Sequence, residues 1–366
     1  MARALEALAS EIVPGGRLVG AEPLAPDGGG GGDTGKGAGY GAPIRLRVVD
    51  PGGVEHALVF RTMRPNDFGH DRRADRAAGL LLAFDTFGVV PDHVRALDVG
   101  AIAADGRLLS LRDGGEFYLV TSWARGRLYA EDLRRVARDG ACTPEDEERA
   151  ARLAAWLVDL HARKGAALGD AACRSAAVYT RAIRDLLGHG EGIFGVVDAY
   201  GPTVPGAPPD RLRAIERRCL EWRFRLRGRA DRLARIHGDF HPFNVVVDGD
   251  AFTLLDASRG CAGEPADDVT AMAVNFPFFA LSRAGSWARG LGPLWRRFFA
   301  TYLDGSGDGG LYDVLAPFLA WRCLVVACPA FYPSLREEAR DRLLALAERA
   351  LDAPRFDPAM GEELFS

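Results

Sequence analysis

The sequence predicts an α+β protein of two lobes, a small β-rich N-terminal lobe over 1–124 and a larger helical lobe over 125–366. Three observations carry this expectation. Up to Ala124, short runs rich in β-branched and aromatic residues alternate with turn signals, interrupted by one helical stretch. Beyond that point apolar residues recur mainly at helical spacing. Within the helical half a single hairpin, 245–255, follows directly on a loop crowded with His and Asp. With 366 residues, 48% of them hydrophobic, the chain is long enough for two lobes and a sizeable core.

Residues 17–25 and 44–49 read as strands around a glycine-dense connection. Asp50-Pro51-Gly52-Gly53 is a turn, after which 55–62 (EHALVFRT) forms a third strand. The 71–84 stretch, rich in Arg, Ala and Leu with helical periodicity, reads as a helix ending near Gly88. Further strands are expected at 94–102, 107–111 and 116–123 (EFYLVTSW), the last running into Ala124-Arg125-Gly126. A helix over 144–164 has Thr143 as N-cap and Glu145, Asp146, Glu147 and Glu148 in its first turn, where acid suits the helix dipole. Leu153, Trp156, Leu157 and Leu160 share one of its faces. Residues 165–230, with a proline-rich 202–209 segment, read as a helical insertion. Four apolar helical stretches follow, near 267–284, 291–304, 311–328 and 334–352, and there is no internal repeat.

Composition excludes several classes. A net charge of −4 without a basic block argues against nucleic acid as a partner. No apolar run approaches the roughly 18 residues of a membrane span, so no membrane partner is expected. The start of the chain, with Glu6 and Glu11, reads as an ordinary helix and not as a signal peptide. Six cysteines without CxxC spacing fit reduced thiols better than a disulfide framework or a zinc site. The expected location is cytoplasmic. Only Lys36 and Lys164 among 46 basic residues are lysine, a bias that fits drift toward GC-rich codons and is not in itself evidence of phosphate binding.

The chemistry is concentrated in His237-Gly238-Asp239-Phe240-His241-Pro242-Phe243-Asn244 and, one hairpin later, Leu254-Leu255-Asp256. An Asp, an Asn five residues on, and a second Asp closing an apolar run are the groups phosphoryl transfer needs. One carboxylate accepts the acceptor's hydroxyl proton, while an amide oxygen and another carboxylate hold the metal on the phosphates. The runs 245–247 and 252–255 flank Asp248-Gly249-Asp250, a hairpin turn signal. The plainer reading is a buried His-Gly-Asp loop with an N-capping Asp.

The pattern HGDxHxxN with a later apolar-apolar-Asp resembles the aminoglycoside phosphotransferase and choline kinase superfamily of small-molecule kinases. That resemblance implies a protein-kinase-like bilobal fold, with Asp239 as catalytic base and Asn244 and Asp256 as ligands of Mg2+. It also implies ATP or GTP as phosphoryl donor and a small-molecule hydroxyl as acceptor, with that of an aminoglycoside or other natural product the first expectation. His241 would help orient the loop. The 153–161 segment (LAAWLVDLH) resembles the family helix that precedes its insertion, where His161 reads as a core residue. Residues 258–269 resemble the family's G(D/E)PxxDLA segment, so Asp267 or Asp268 would cap the next helix and brace the catalytic loop. Arg259 reads equally as a substrate contact or a surface salt bridge.

The nucleotide side departs from the family more. Residues 30–37 (GGGDTGKG) nearly match a P-loop, but the motif ends in Gly37 where a hydroxyl is needed, and a strand follows where a helix is required. A glycine-rich loop closing over phosphates, carrying Lys36 and Gly37, is the alternative, beside a plain surface linker. Arg61 stands where kinases place a lysine, and its planar fork is not equivalent to a compact ammonium. Two assignments stay open: Arg61 contacts the phosphates, with Lys36 assisting, or Lys36 does so from the loop. The partner carboxylate would be Asp75, or Asp71 a turn earlier. The 117–127 stretch resembles the family hinge, so adenine would bond to the backbone of Ser122, Trp123 and Ala124 between Val59 and Leu255. The competing function is a non-catalytic nucleotide-binding regulatory relative, suggested by Arg61.

Overall fold

The computed structural model describes residues 2–24, 43–257 and 259–366. Lys36, Gly37 and the rest of the glycine-rich segment lie outside the described residues. The chain divides into two compact units, 1–121 and 122–366.

The first unit opens with helix α1 (Ala2–Ile12) and continues into a three-stranded antiparallel sheet of β1 (Arg17–Pro23), β2 (Ile44–Val49) and β3 (Glu55–Phe60), in that order. The alternation of β2 (IRLRVV) fits a pleat with one covered face: Leu46 and Val48 are buried, whereas Arg45 and Arg47, which alternate with them, are not. Ala9 and Val13, from α1 and its end, pack with Val48 to form a small core, flanked by Ile12, Leu18 and Leu58. Helix α2 (Arg73–Phe87) ends at Gly88, as its composition predicts. Strands β4 (Gly100–Ile102) and β5 (Leu108–Ser110) form a separate short hairpin.

The third strand forms as expected but two residues shorter, the strand expected over 94–102 forms only at 100–102, and the one expected over 116–123 is absent. Strand β3 stops at Phe60, so Arg61 lies just past its end and is exposed. No strand forms over 116–123; Phe117, Tyr118, Leu119, Val120 and Trp123 are all exposed, Tyr118 at 91%. The β propensity of EFYLVTSW expresses how well such side chains suit a pleated, half-buried surface, and this segment has no neighbouring ladder to supply one.

The second unit is mainly helical. Its strands are β6 (Arg127–Leu128), β7 (Ala234–Arg235), β8 (Val245–Asp248), β9 (Ala251–Leu254) and β10 (Ala262–Gly263). They form a β6-β8-β9 sheet and a β10-β7 pair. The helices are α3 (Tyr129–Asp139), α4 (Pro144–His161), α5 (Asp170–Cys173), α6 (Ser175–Gly188), α7 (Ile193–Asp198), α8 (Pro209–Leu226), α9 (Pro265–Ala273), α10 (Asn275–Ala280), α11 (Gly292–Ser306), α12 (Ala316–Ala327), α13 (Glu337–Asp352) and α14 (Ala359–Phe365). The 165–230 insertion is thus helical, as expected.

Helix α4 starts as the sequence dictates. Thr143 Oγ1 accepts from Asp146 N at 3.3 Å, Asp146 Oδ2 accepts from Thr143 N at 2.9 Å, and Pro144 needs no N–H at the first position. The face carrying Leu153 and Leu157 is buried, and α4 packs against α11, as α12 does against α13 and α9. One continuous core, including Trp295, Phe298, Phe299 and Tyr302, fills the unit. Among the described residues no helix is long and apolar enough to cross a membrane.

Candidate active site

The loop between β7 and β8 is anchored at each of its parts. Its start leaves β7 with Ile236 N donating to Cys261 O at 3.2 Å. The next two N–H groups, of His237 and Gly238, both donate to the Asp268 carboxylate at 2.7 Å. Asp268 is fully buried on α9, and its Oδ2 also lies 3.1 Å from His161 Nε2 on α4. His161 Nδ1 is in turn 2.8 Å from the Tyr302 hydroxyl. One carboxylate therefore ties the loop to two helices. Bracing by Asp268 agrees with the expectation, but capping does not: Glu264 is the N-cap of α9, its side chain accepting from Ala266 N at 3.4 Å.

Gly238 has φ +87, and a Cβ there would lie 3.2 Å from both Arg259 Cβ and Gly260 O. Both facts require glycine at the position between His237 and Asp239. Phe240 points into the core and stacks on Trp156, with ring centroids 5.4 Å apart and planes 8° off parallel. With Phe240 driven inward, its neighbours Asp239 and His241 keep partly exposed side chains, at 15% and 27%. Asn244 closes the loop: its Nδ2 donates to Asp239 O at 3.1 Å, and its own N–H reaches His241 O at 2.9 Å.

The hairpin then fixes the far residue. Val245 pairs with Leu254 and Asp248 with Ala251, around Gly249 at φ +57. Leu255 N donates to Asn244 O at 2.9 Å, carrying the pairing one step further. Asp256 follows with φ +51, a left-handed conformation that Asp tolerates better than most residues, and it is exposed. The structure thus brings Asp239, Asn244 and Asp256 to one loop and hairpin. Arg61 and Asp75 both belong to the first unit, where Asp75 Oδ2 accepts from Arg72 N at 2.9 Å and closes the first turn of α2. Ser122, Trp123 and Ala124 lie in the exposed segment that forms no strand.

Electrostatically, Asp239 is set apart by a residue that the sequence reading missed. Arg322, on α12, donates from Nη1 to Asp239 Oδ1 at 2.7 Å. Its Nη2 donates to Asp267 Oδ1 at 2.6 Å and to Gly238 O at 3.3 Å. The other Asp239 oxygen, Oδ2, lies 3.4 Å from His241 Nε2. His241 Nδ1 accepts from Phe243 N at 3.2 Å, so the neutral ring carries its proton on Nε2, facing Asp239. Burial alone would raise the Asp239 carboxyl. The hydrogen bond to His241 and the charges of Arg322 and Arg259 outweigh it and hold the group well below the usual carboxylate range. Asp267 goes the other way, pushed up to about 6 by burial and by neighbouring Asp268 against the charge of Arg322. Arg259 pairs with Glu191 at 3.2 Å and lies over the Trp321 ring, so the salt-bridge reading of this residue describes the structure. A signal for Arg322 did exist: it is the only charged residue in the apolar run 315–327, and a lone charge in such a helix needs a buried partner.

The family model described as the phosphotransferase enzyme family matches residues 38–318. The chain belongs to that family. It is a small-molecule phosphotransferase with an alcohol group as acceptor, and its α+β class is the one expected from the sequence. No curated protein matches the sequence of this phosphotransferase. Solved structures similar to it include a glucosamine kinase, 18% identical with a TM-score of 0.46, covering 93% of this chain and 96% of that one. An amicoumacin kinase, solved with AMP-PNP, Ca2+ and Ami, is 14% identical with a TM-score of 0.41, covering 88% and 90%. A choline kinase from Cryptosporidium parvum is 8% identical with a TM-score of 0.34, covering 100% and 98%.

Proposed function

We propose that this phosphotransferase moves the γ-phosphoryl group of ATP, or of GTP, to a hydroxyl of a small molecule, with Mg2+ as its metal. The observation that carries the reading is the Asp239 carboxylate, kept ionised on a braced loop that Asn244 closes and that leads through one hairpin to Asp256. The donor set fits a hard cation. The Asn244 side-chain NH2 donates to Asp239 O and its amide oxygen takes no hydrogen bond among the described residues, and Asp256 offers an exposed carboxylate. Two protein oxygens suit Mg2+, which keeps waters and phosphate oxygens as its other ligands. When bound, it supplies neutralising charge on the phosphates.

Asp239 takes a hydrogen bond from the acceptor hydroxyl on Oδ2, the oxygen that Arg322 does not hold. A carboxylate this acidic is too weak a base to ionise an alcohol in the ground state. It aims the hydroxyl and receives the proton late, once the oxygen has begun to bond to phosphorus, as a loose transition state allows. The proposed nucleotide contacts are Arg61 with Asp75, Lys36 and Gly37, and the backbone of Ser122, Trp123 and Ala124. The acceptor class proposed is an aminoglycoside or another natural-product hydroxyl compound. The complete trio favours turnover over a regulatory relative that only binds nucleotide.

Isothermal titration of Mg-ATP and Mg-GTP into the wild type and Asp256→Ala tests this. Magnesium-dependent binding weakened at least about tenfold by the substitution, a loss of about 1.4 kcal/mol, is expected. Equal affinity in both proteins, with and without magnesium, would overturn the assignment of Asp256.

A further inference from the structure

Arg322 is buried to 6% side-chain exposure on a helix that otherwise packs apolar residues. A guanidinium in such a place loses its hydration and must recover the loss through well-made pairs. Both Nη atoms do so, but Nε is buried without a hydrogen-bond partner among the described residues. The group is therefore oriented for what its two Nη atoms reach, at the expense of its third donor position. Its plane is set by Trp321, whose ring centre lies 3.9 Å from the guanidinium carbon. Trp321 is itself fixed, its Nε1 donating to Glu191 O at 2.8 Å.

The two Nη atoms reach different structures. Nη2 rests on Asp267 of α9 and on Gly238 O, both parts of the scaffold, while Nη1 is aimed at a single oxygen of Asp239. A carboxylate with two free oxygens can rotate about χ2 and present either to a neighbour. With Oδ1 held at 2.7 Å the carboxylate is kept from rotating, and Oδ2 is the oxygen Arg322 leaves, on the side of His241, with a lone pair for the acceptor. We infer that Arg322 is the positioning residue of Asp239, clamping one carboxylate oxygen so that the other meets the acceptor hydroxyl in one fixed direction. This rests on the reading of Asp239 as the group that receives the hydroxyl.

Misaiming a reacting group by about 1 Å costs roughly 100-fold in rate. Arg322→Gln, which cannot clamp Asp239 and Asp267 together, should therefore lower kcat by roughly 10- to 100-fold with the KM for Mg-ATP unchanged. Arg322→Lys, which restores charge but offers one point of contact, should recover part of the loss. The assay is ADP release from Mg-ATP, with water and then kanamycin as acceptor. The decisive comparison is made in an Asp239→Asn background, where Arg322→Gln should cost nothing further; equal loss in both backgrounds overturns the inference, because a purely architectural arginine would be missed in both. Should Arg322→Gln fail to fold, Asp267→Asn/Arg322→Gln removes the carboxylate left unpaired and takes its place. A crystal structure of the folded variant gives a readout free of turnover. Rotation of the Asp239 carboxylate is expected, and a carboxylate still in its wild-type pose would overturn the inference. If the wild type releases no ADP and binds no nucleotide, the phosphotransfer reading of this loop fails, while the crystal structure still decides the clamp.

Discussion

Replacing Asp268 by Asn exchanges one oxygen for an NH2 group and changes almost nothing in volume. The carboxylate is fully buried and takes the N–H groups of His237 and Gly238, one on each oxygen, both at 2.7 Å. An amide keeps one of these bonds and turns a donor toward the other N–H, or toward His161 Nε2 at 3.1 Å. The change removes one charge-assisted hydrogen bond and strands a buried donor, which together cost about 3 kcal/mol. For a unit of this size each kcal/mol lowers Tm by about 2–4 °C, so Asp268→Asn should melt roughly 6–12 °C below the wild type. Thermal denaturation followed by circular dichroism at pH 7 measures this. Amide exchange resolves where it acts: the His237 and Gly238 N–H groups should lose protection ahead of the α4 and α11 core. A Tm within about 2 °C of wild type, with both amides still protected, would refute the view that this carboxylate fastens the loop.

Other expectations concern the surroundings. Gly126 has φ +125, and a Cβ there would sit 2.2 Å from Val247 O, so Gly126→Ala must displace β6 from β8; a loss of at least about 2 kcal/mol in urea denaturation is expected, and an unchanged midpoint would contradict the geometry. Asp308 receives both Nη atoms of Arg232, at 2.9 and 2.8 Å. Burial raises its carboxyl, but the hydrogen bonds and charge of Arg232 prevail and leave it lowered. A lowered folded-state value contributes stability above the ordinary carboxylate range near about 4 and loses it as pH falls through the folded value. Asp308→Asn should then be less stable by roughly 1–2 kcal/mol at pH 7, with the gap closing as the medium is acidified toward about pH 3; a gap constant with pH would speak against the pair.

What the sequence disclosed follows from how local each cause is. The 245–255 hairpin is legible because it is written within one short stretch, a turn between two β-rich runs. Thr143 is legible because a cap depends on residues within one helical turn of it. Strand 116–123 is misread since its propensity says nothing of whether an edge exists to pair with it. Of the two roles expected of Asp267 or Asp268, Asp268 braces the loop, but the cap of α9 falls to Glu264 and Asp267 meets Arg322. Arg322 shows the general limit. Its isolation in an apolar run marks it as paired, yet only the packing of α12 against α9 names the partners.

The β8–β9 hairpin acts as a ruler. Its register, Val245 opposite Leu254, places Asn244 and Asp256 at the two exits of one ladder, and Leu255 N on Asn244 O fastens the open end. Residues added beyond Asp248 and before Ala251 lengthen only the tip and leave the exits where they are. A slip of one residue in the ladder keeps the length but turns every side chain of one strand to the opposite face, and Asp256 with them. In variants and in relatives alike, the tip should tolerate changes of length, whereas the strands should accept changes of side chain but not of count.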